Sequence, residues 1–180
     1  MLLIVGRTGS GKDTYAKCLE EFGLKGICSY TTRPRREGEG DTHIFINENE
    51  VDNYPNKIAL TKIKGNIYFA TVEQFNEADF YIIDPKGIQY LNEHFPELTY
   101  RIIYIYANYS IRKNRAVNRV TSIEEQMKEA QIFIERDKAE NGQFKSFENS
   151  ILYNTDIIIH NNNNLTLEEL KNLAKQDINR

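Results

Sequence analysis

The stretch GRTGSGKDT, residues 6–14, directly follows the apolar run LLIV at residues 2–5, and together they decide the fold. The apolar run predicts a buried strand, and residues 13–23, DTYAKCLEEFG, have the spacing of a helix that ends at Gly23. A strand, a glycine-rich turn and a helix in this order form the context of a phosphate-binding loop. The alternative, a glycine-rich turn with a solvated lysine, does not account for the flanking strand and helix.

The residue types of this loop suit a phosphate. Glycine allows backbone to approach a ligand closely, and the N–H groups at a helix N-terminus attract anions. The lysine is spaced to reach the β- and γ-phosphates of a nucleotide. The predicted ATP-binding loop therefore consists of Gly6, Arg7, Thr8, Gly9, Ser10, Gly11, Lys12, Asp13 and Thr14.

The position after the lysine departs from the usual motif. That motif has Ser or Thr there, whereas this chain has Asp13 and displaces the hydroxyl to Thr14. Carboxylates suit Mg²⁺, so Asp13 could bind the metal through water. It could equally favour the helix start electrostatically, and the sequence leaves both roles open.

Length and composition indicate an ordinary globular protein. The chain has 180 residues, of which 40% are hydrophobic and 27% charged, and its net charge is −3. We therefore expect one domain and no nucleic acid partner. The phosphate loop adds the expectation of small-molecule nucleotides as partners. We expect a monomer or homodimer. No apolar run approaches the length of a membrane span, and MLLIVG is too short for a signal peptide. Cys18 and Cys28 lack metal-ligand spacing, so we expect reduced thiols and a cytoplasmic location.

Apolar strands alternate with helical segments, which predicts an α/β fold: a parallel sheet of the P-loop type, flanked by helices. Residues 31–71 break this alternation and form an insert of short strands. Residues 111–140 are charged and helical, with a break predicted between Asn118 and Ser122. We therefore predict a single domain over 1–180, with a core of 1–30, 72–110 and 141–180, the insert at 31–71 and a helical flap at 111–140.

The insert begins with a basic segment, SYTTRPRREGEG, at residues 29–40. It places Arg33, Arg35 and Arg36 close together beside several hydroxyls. Guanidinium groups bind phosphate in a bidentate manner, so the segment can form a second anion site. An enzyme that transfers a phosphoryl group between two phosphorylated substrates needs two such sites. The alternative is a solvated basic loop.

The flap carries a second set of arginines. Arg112, Arg115 and Arg119 have the spacing i, i+3 and i+7, which predicts one basic helix face. Arginines on that face could stabilise the charge on a phosphoryl group in transfer. A surface helix with ordinary ion pairs is the alternative.

Several segments together resemble the guanylate kinase family over nearly the whole chain. They are, in order, GRTGSGKDT, SYTTRPRREGEGDTHIFI, KGNIYFAT, IDPKG and TDIIIHN. The segment around TTRPRREGE is the specific part, because the first loop alone indicates only some P-loop protein. The resemblance implies that 31–71 binds a nucleoside monophosphate, that 111–140 is a lid over ATP, and that the γ-phosphoryl group of ATP passes to GMP or dGMP with Mg²⁺.

The resemblance also assigns roles to single residues. In the family, His43 corresponds to a tyrosine, Asp84 to an aspartate near the acceptor base and phosphate, and Asn161 to an asparagine near adenine. Thr71 is a candidate hydroxyl where Phe69 and Ala70 replace the family's small residues. The residues implied at the acceptor are Ser29, Arg33, Arg36, His43, Tyr68, Thr71 and Asp84, and the implied catalytic residues are Lys12, Arg115 and Arg119.

One departure from the family leaves the acceptor base open. The family has a glutamate six residues before the GN dipeptide, where it reads guanine, and this chain has Ala59. Without a carboxylate there, the guanine donors would be unpaired, and discrimination would fall. Alternative acceptors are another nucleoside or deoxynucleoside monophosphate, or a phosphorylated compound that is not a nucleotide. A binding module without activity is a further alternative, which the presence of Lys12 disfavours.

Overall fold

The computed structural model describes residues 1–35, 40–151, 155–163 and 165–179. Besides a short 3-10 helix at Glu48–Asn53, it has within these ranges eight strands and six α-helices. In order they are β1 (Leu2–Val5), α1 (Lys12–Glu21), β2 (Ser29–Thr31), β3 (His43–Phe45), β4 (Lys57–Ile63), β5 (Asn66–Thr71), α2 (Val72–Glu77), β6 (Phe80–Ile82), α3 (Pro85–His94), β7 (Arg101–Tyr106), α4 (Tyr109–Val117), α5 (Ile123–Ile151), β8 (Ile157–His160) and α6 (Leu167–Ile178).

The core is a parallel sheet with the strand order β6-β1-β7-β8. All four residues of β1 are buried, because successive side chains point to opposite faces and helices cover both. Leu2 and Ile4 pack with α1 and α6, and Leu3 and Val5 pack with α3 and α5. This architecture confirms the predicted α/β fold.

A second, mixed sheet with the order β3-β2-β5-β4 lies within the predicted insert, apart from the start of β2. Its strand β4 packs against α3, which follows β6 of the core sheet. The predicted boundary at residue 31 falls in β2, and the predicted boundary at residue 140 falls inside α5. The division into core, insert and lid stays a prediction.

The predicted helix break lies where the sequence indicates it. Helix α4 ends at Val117 and α5 begins at Ile123. Helix α5 then continues for 29 residues, so the flap and the core share one helix. Within the described residues, no helix has the length and apolar character needed to cross a membrane.

Candidate active site

The predicted phosphate loop lies at the carboxyl end of β1 and leads directly into α1. Gly9 and Gly11 have φ angles of +79° and +102°, a region that favours glycine. A Cβ at Gly11 would lie 2.5 Å from Asn161 Nδ2, and one at Gly9 would lie 2.8 Å from the Arg112 carbonyl oxygen. Because Gly11 caps α1, the N–H groups of the first turn lack intrahelical acceptors and can receive an anion.

The side chains at the start of α1 are compatible with a nucleotide and its metal. Lys12 Nζ lies 3.8 Å from the Asp13 carboxylate, whose side chain is 71% exposed. No cluster of three or more potential metal-ligating His, Cys, Asp or Glu residues occurs in the described part of the chain. Mg²⁺ in such sites relies on phosphate oxygens and water with one or two protein ligands, so Asp13 and Thr14 suffice chemically.

Arg115 and Asn161 form hydrogen bonds to the backbone carbonyl oxygens of the loop. Arg115 Nη1 donates to the carbonyl oxygens of Gly9 (3.3 Å) and Ser10 (3.1 Å). Its Nη2 donates to Oδ1 of Asn161 (2.9 Å), and Asn161 Nδ2 donates to the Ser10 carbonyl (2.9 Å). Burial lowers the pKa of Arg115. In this structure both residues hold loop backbone; their predicted roles, Arg115 at the transferred group and Asn161 near adenine, stay predictions.

The prediction that Arg112, Arg115 and Arg119 form one basic helix face is wrong for Arg119. Arg112 is buried and donates to the carbonyl oxygens of Ala107 (3.0 Å) and Thr8 (3.1 Å) and to Asp137 Oδ1 (2.6 Å). Arg119 lies beyond the end of α4, exposed in the turn before α5, so it does not continue the helix face. Arg112 and Arg115 both contact the loop, whereas α4 ends before Arg119.

Helix α5 brings carboxylates to the first residues of the loop, a feature that the sequence analysis missed. Glu148 accepts two hydrogen bonds from Arg7, at 2.9 and 3.0 Å. Glu140 accepts from the backbone N–H of Thr8 at 2.9 Å and also from its hydroxyl. Arg7 and Thr8 therefore contact α5 in this structure, and their predicted contact with ATP stays a prediction.

The ion pair of Arg7 and Glu148 is part of a partly buried network. Tyr104 in β7 donates from its hydroxyl to Glu148 at 2.6 Å. Burial by itself would raise the pKa of Glu148, but the hydrogen bonds from Arg7 and Tyr104 and the positive charges of Arg7 and Arg112 outweigh it, and the pKa is lowered. The carboxylate therefore stabilises the folded state in its charged form.

The second sheet presents a polar face that contains several predicted acceptor residues. Ser29 Oγ lies 2.9 Å from His43 Nδ1, and the rings of His43 and Tyr68 are 5.9 Å apart. The Arg33 guanidinium stacks over Phe45, with 5.2 Å between its carbon and the ring centroid. The structure thus brings together Ser29, His43 and Tyr68, with Arg33 beside them.

The polar face meets the core sheet at the carboxyl end of β6. Tyr81 in β6 is buried, and burial raises the pKa of its hydroxyl, which the nearby Ser29 side chain partly opposes. Three residues further along the chain, Asp84 accepts at Oδ2 a hydrogen bond from Thr61 at 3.2 Å. Because β6 pairs with β1, these contacts lie at the edge of the sheet where the phosphate loop begins. Tyr81 and Thr61 were missed because their sequence patterns are those of ordinary strands.

Three further predictions differ in outcome. Arg36 lies outside the described residues. Thr71 caps α2, with its hydroxyl accepting from the Gln74 N–H at 3.3 Å, so the hydroxyl serves the helix; its acceptor role stays a prediction. Ala59 is only 3% exposed, in agreement with its lack of a polar group.

Comparisons with known proteins support the fold class. No protein-family model matches the chain. A search of curated proteins likewise finds no match. Among solved structures, the chain is similar to a guanylate kinase from Anaplasma phagocytophilum, with 19% identity and a TM-score of 0.60 over 99% of this chain and 82% of that one. At this identity the likeness shows the fold alone, an α/β fold of the P-loop NTPase type.

Two other structures cover nearly the full length of both chains. An uncharacterized protein from Eubacterium ventriosum has 14% identity and a TM-score of 0.50, covering 99% of this chain and 98% of its own. A deoxyadenosine kinase from M. mycoides with bound dATP has 14% identity and a TM-score of 0.47, covering 99% of each chain.

Proposed function

We propose that the chain is a nucleoside monophosphate kinase that transfers the γ-phosphoryl group of ATP to a monophosphate, with GMP or dGMP as the favoured acceptor. The observation that carries the proposal is the contact between the polar face of the second sheet and the carboxyl edge of the core sheet, where Thr61 donates to Asp84 Oδ2. The phosphate loop begins at the same edge.

The donor half of the site consists of the loop and the start of α1. The N–H groups around Gly11 and the ammonium of Lys12 would hold the β- and γ-phosphates of ATP. Mg²⁺, held by the phosphates with Asp13 or Thr14, would neutralise charge on the transferred group. Arg115 and Asn161 hold the carbonyl side of the loop, which leaves its N–H side available to the anion.

The acceptor half consists of the polar face of the second sheet. Ser29, Arg33, His43 and Tyr68 offer hydroxyls, an imidazole and a guanidinium group for the acceptor phosphate. Arg36 adds a guanidinium group from the sequence. The reaction then needs positioning and charge stabilisation rather than a covalent intermediate. Arg119 is a candidate to close over the transferred group, and Arg115 would join it only by releasing the loop carbonyls.

A coupled ADP-release assay with GMP, dGMP, AMP, CMP, UMP and dTMP tests the proposal. We expect ADP release that depends on a monophosphate and is fastest with GMP or dGMP. Arg36→Ala should raise the KM for the acceptor far more than that for ATP, because its charge serves only the acceptor. Absence of acceptor-dependent ADP release with all six compounds would contradict the proposal and favour a binding module.

A further inference from the structure

Strand β4 is irregular at the position where the guanylate kinase family reads guanine. Its pairing with β5 shifts register between Ile58 and Thr61, and Ala59 within the shift has a φ angle of +52°. Ala59 belongs to the apolar core, and a Cβ at Gly87 in α3 would lie 3.4 Å from its Cβ. Position 59 therefore faces the first turn of α3, and a polar side chain there could not reach a ligand without moving this packing.

The same irregularity brings a different residue to the polar face. After the shift, Thr61 lies directly opposite Tyr68 in β5, which in turn lies opposite Thr31 in β2. Cross-strand partners project from the same face of a sheet, so Thr61 shares a face with Tyr68. Thr61 is 7% exposed, and its hydroxyl donates to Asp84.

The contacts of Asp84 limit what its carboxylate can still accept. Oδ1 accepts from the N–H groups of Lys86 (2.8 Å) and Gly87 (3.0 Å), which caps α3. Oδ2 accepts from Thr61. Because each carboxylate oxygen has two acceptor positions, the contacts among the described residues leave one position on Oδ2 for a ligand. A carboxylate held by three donors is also rigidly oriented.

We propose that Thr61 is a positioning residue for the acceptor base, which it serves by holding Asp84 Oδ2 toward a single N–H donor of that base. The inference rests on the proposed kinase function. A single acceptor cannot pair with both guanine N1–H and N2–H, whereas a free carboxylate can. The site therefore suits a base edge with one N–H donor. We expect kcat/KM for GMP to exceed that for AMP by less than about tenfold, and a tenfold ratio corresponds to a free-energy difference of about 1.4 kcal/mol.

Steady-state kinetics of the full chain with GMP, AMP and ATP test this inference. Thr61→Val keeps the shape and removes the hydroxyl, and we expect it to raise the KM for the acceptor about tenfold while the KM for ATP stays unchanged. Thr61→Ser should restore the KM to within about threefold. Thr155→Val is the matched control, because within the described residues the buried Thr155 hydroxyl has no hydrogen-bond partner.

A double-mutant cycle with Asp84→Asn separates positioning from structural damage. If Thr61 acts through Asp84, Thr61→Val adds nothing to the KM defect of Asp84→Asn. Additive defects, a Thr61→Val enzyme with wild-type acceptor KM, or a guanine preference above about tenfold would each overturn the inference. Acceptor-dependent transfer by the wild type would still uphold the proposed function in these cases. Absence of wild-type transfer with all monophosphates would overturn both. If Thr61→Val does not fold, Thr61→Ala replaces it in the cycle.

Discussion

Lys12 is the residue on which the proposed donor site depends most. It follows Gly11 at the start of α1, where the helix N-terminus already favours an anion. Lys12→Met should lower kcat/KM by at least about a hundredfold, because the charge that stabilises the transferred group is lost. The melting temperature should remain that of the wild type, since the ion pair of Lys12 with Asp13 is long, at 3.8 Å, and the Asp13 side chain is 71% exposed.

Lys17→Met provides the control for this substitution. Lys17 is exposed on the same helix and outside the loop, so its loss should leave transfer unchanged. If Lys12→Met retained wild-type kcat/KM, or if both variants lost activity equally, the assignment of the donor site would be contradicted.

A substitution at Ala59 tests whether the glutamate that binds guanine in the guanylate kinase family can be restored in this chain. Ala59→Glu should lower the free energy of unfolding by about 3 kcal/mol without increasing the preference for GMP, because the new carboxylate would be buried against α3. Urea unfolding and the GMP-to-AMP ratio of kcat/KM measure the two effects. Lys62→Glu, at an exposed position of the same strand, should change stability little. A stable Ala59→Glu enzyme with increased guanine preference would contradict the described course of β4.

At the scale of secondary-structure elements, α5 is attached to the phosphate loop through Arg7, Thr8 and Arg112. Glu148→Gln removes the charge that pairs with Arg7, and we expect it to lower the free energy of unfolding at pH 7 by about 1 to 3 kcal/mol. Chemical denaturation at pH 7 measures the loss. Glu135→Gln, on an exposed position of α5, is the control and should have a small effect.

The pH dependence of stability tests the same contact independently. The pKa of Glu148 is lowered in the folded state, so its contribution is fully present above its ordinary value of 4.5 and is lost as pH falls through the lower folded value. The stability difference between wild type and Glu148→Gln should therefore shrink as the pH is lowered below 4.5. A difference that is constant from pH 7 through this range would contradict an ionised Glu148 paired with Arg7.

The elements also show which features the sequence could predict. The strand, loop and start of α1 were predicted because their signals are local, as was the break after Val117. The contacts of Glu140 and Glu148 with the loop were not predicted, because they join residues more than a hundred positions apart. The register shift at Ala59 was also missed, because the local pattern around it reads as a regular strand.

At the scale of the whole molecule, the candidate site depends on how the two sheets are arranged, and neither the phosphate loop nor the basic segment forms it alone. The core sheet carries the phosphate loop, and the second sheet carries Ser29, His43 and Tyr68. Thr61 in β4 joins them by its hydrogen bond to Asp84, which follows β6 and caps α3. The fold class could be predicted from motifs, and the roles assigned to the two halves of the site stay predictions. The junction of the two sheets depends on packing that no motif encodes.

The most direct test of the account follows the phosphoryl group itself. The purified chain would be incubated with Mg²⁺, ATP labelled in its γ-phosphoryl group and GMP, and the products would be separated. We expect the label to appear in GDP, and we expect Lys12→Met to abolish this transfer. Label found only in inorganic phosphate, at a rate independent of each monophosphate supplied in place of GMP, would contradict the central claim that the two sites bind donor and acceptor together.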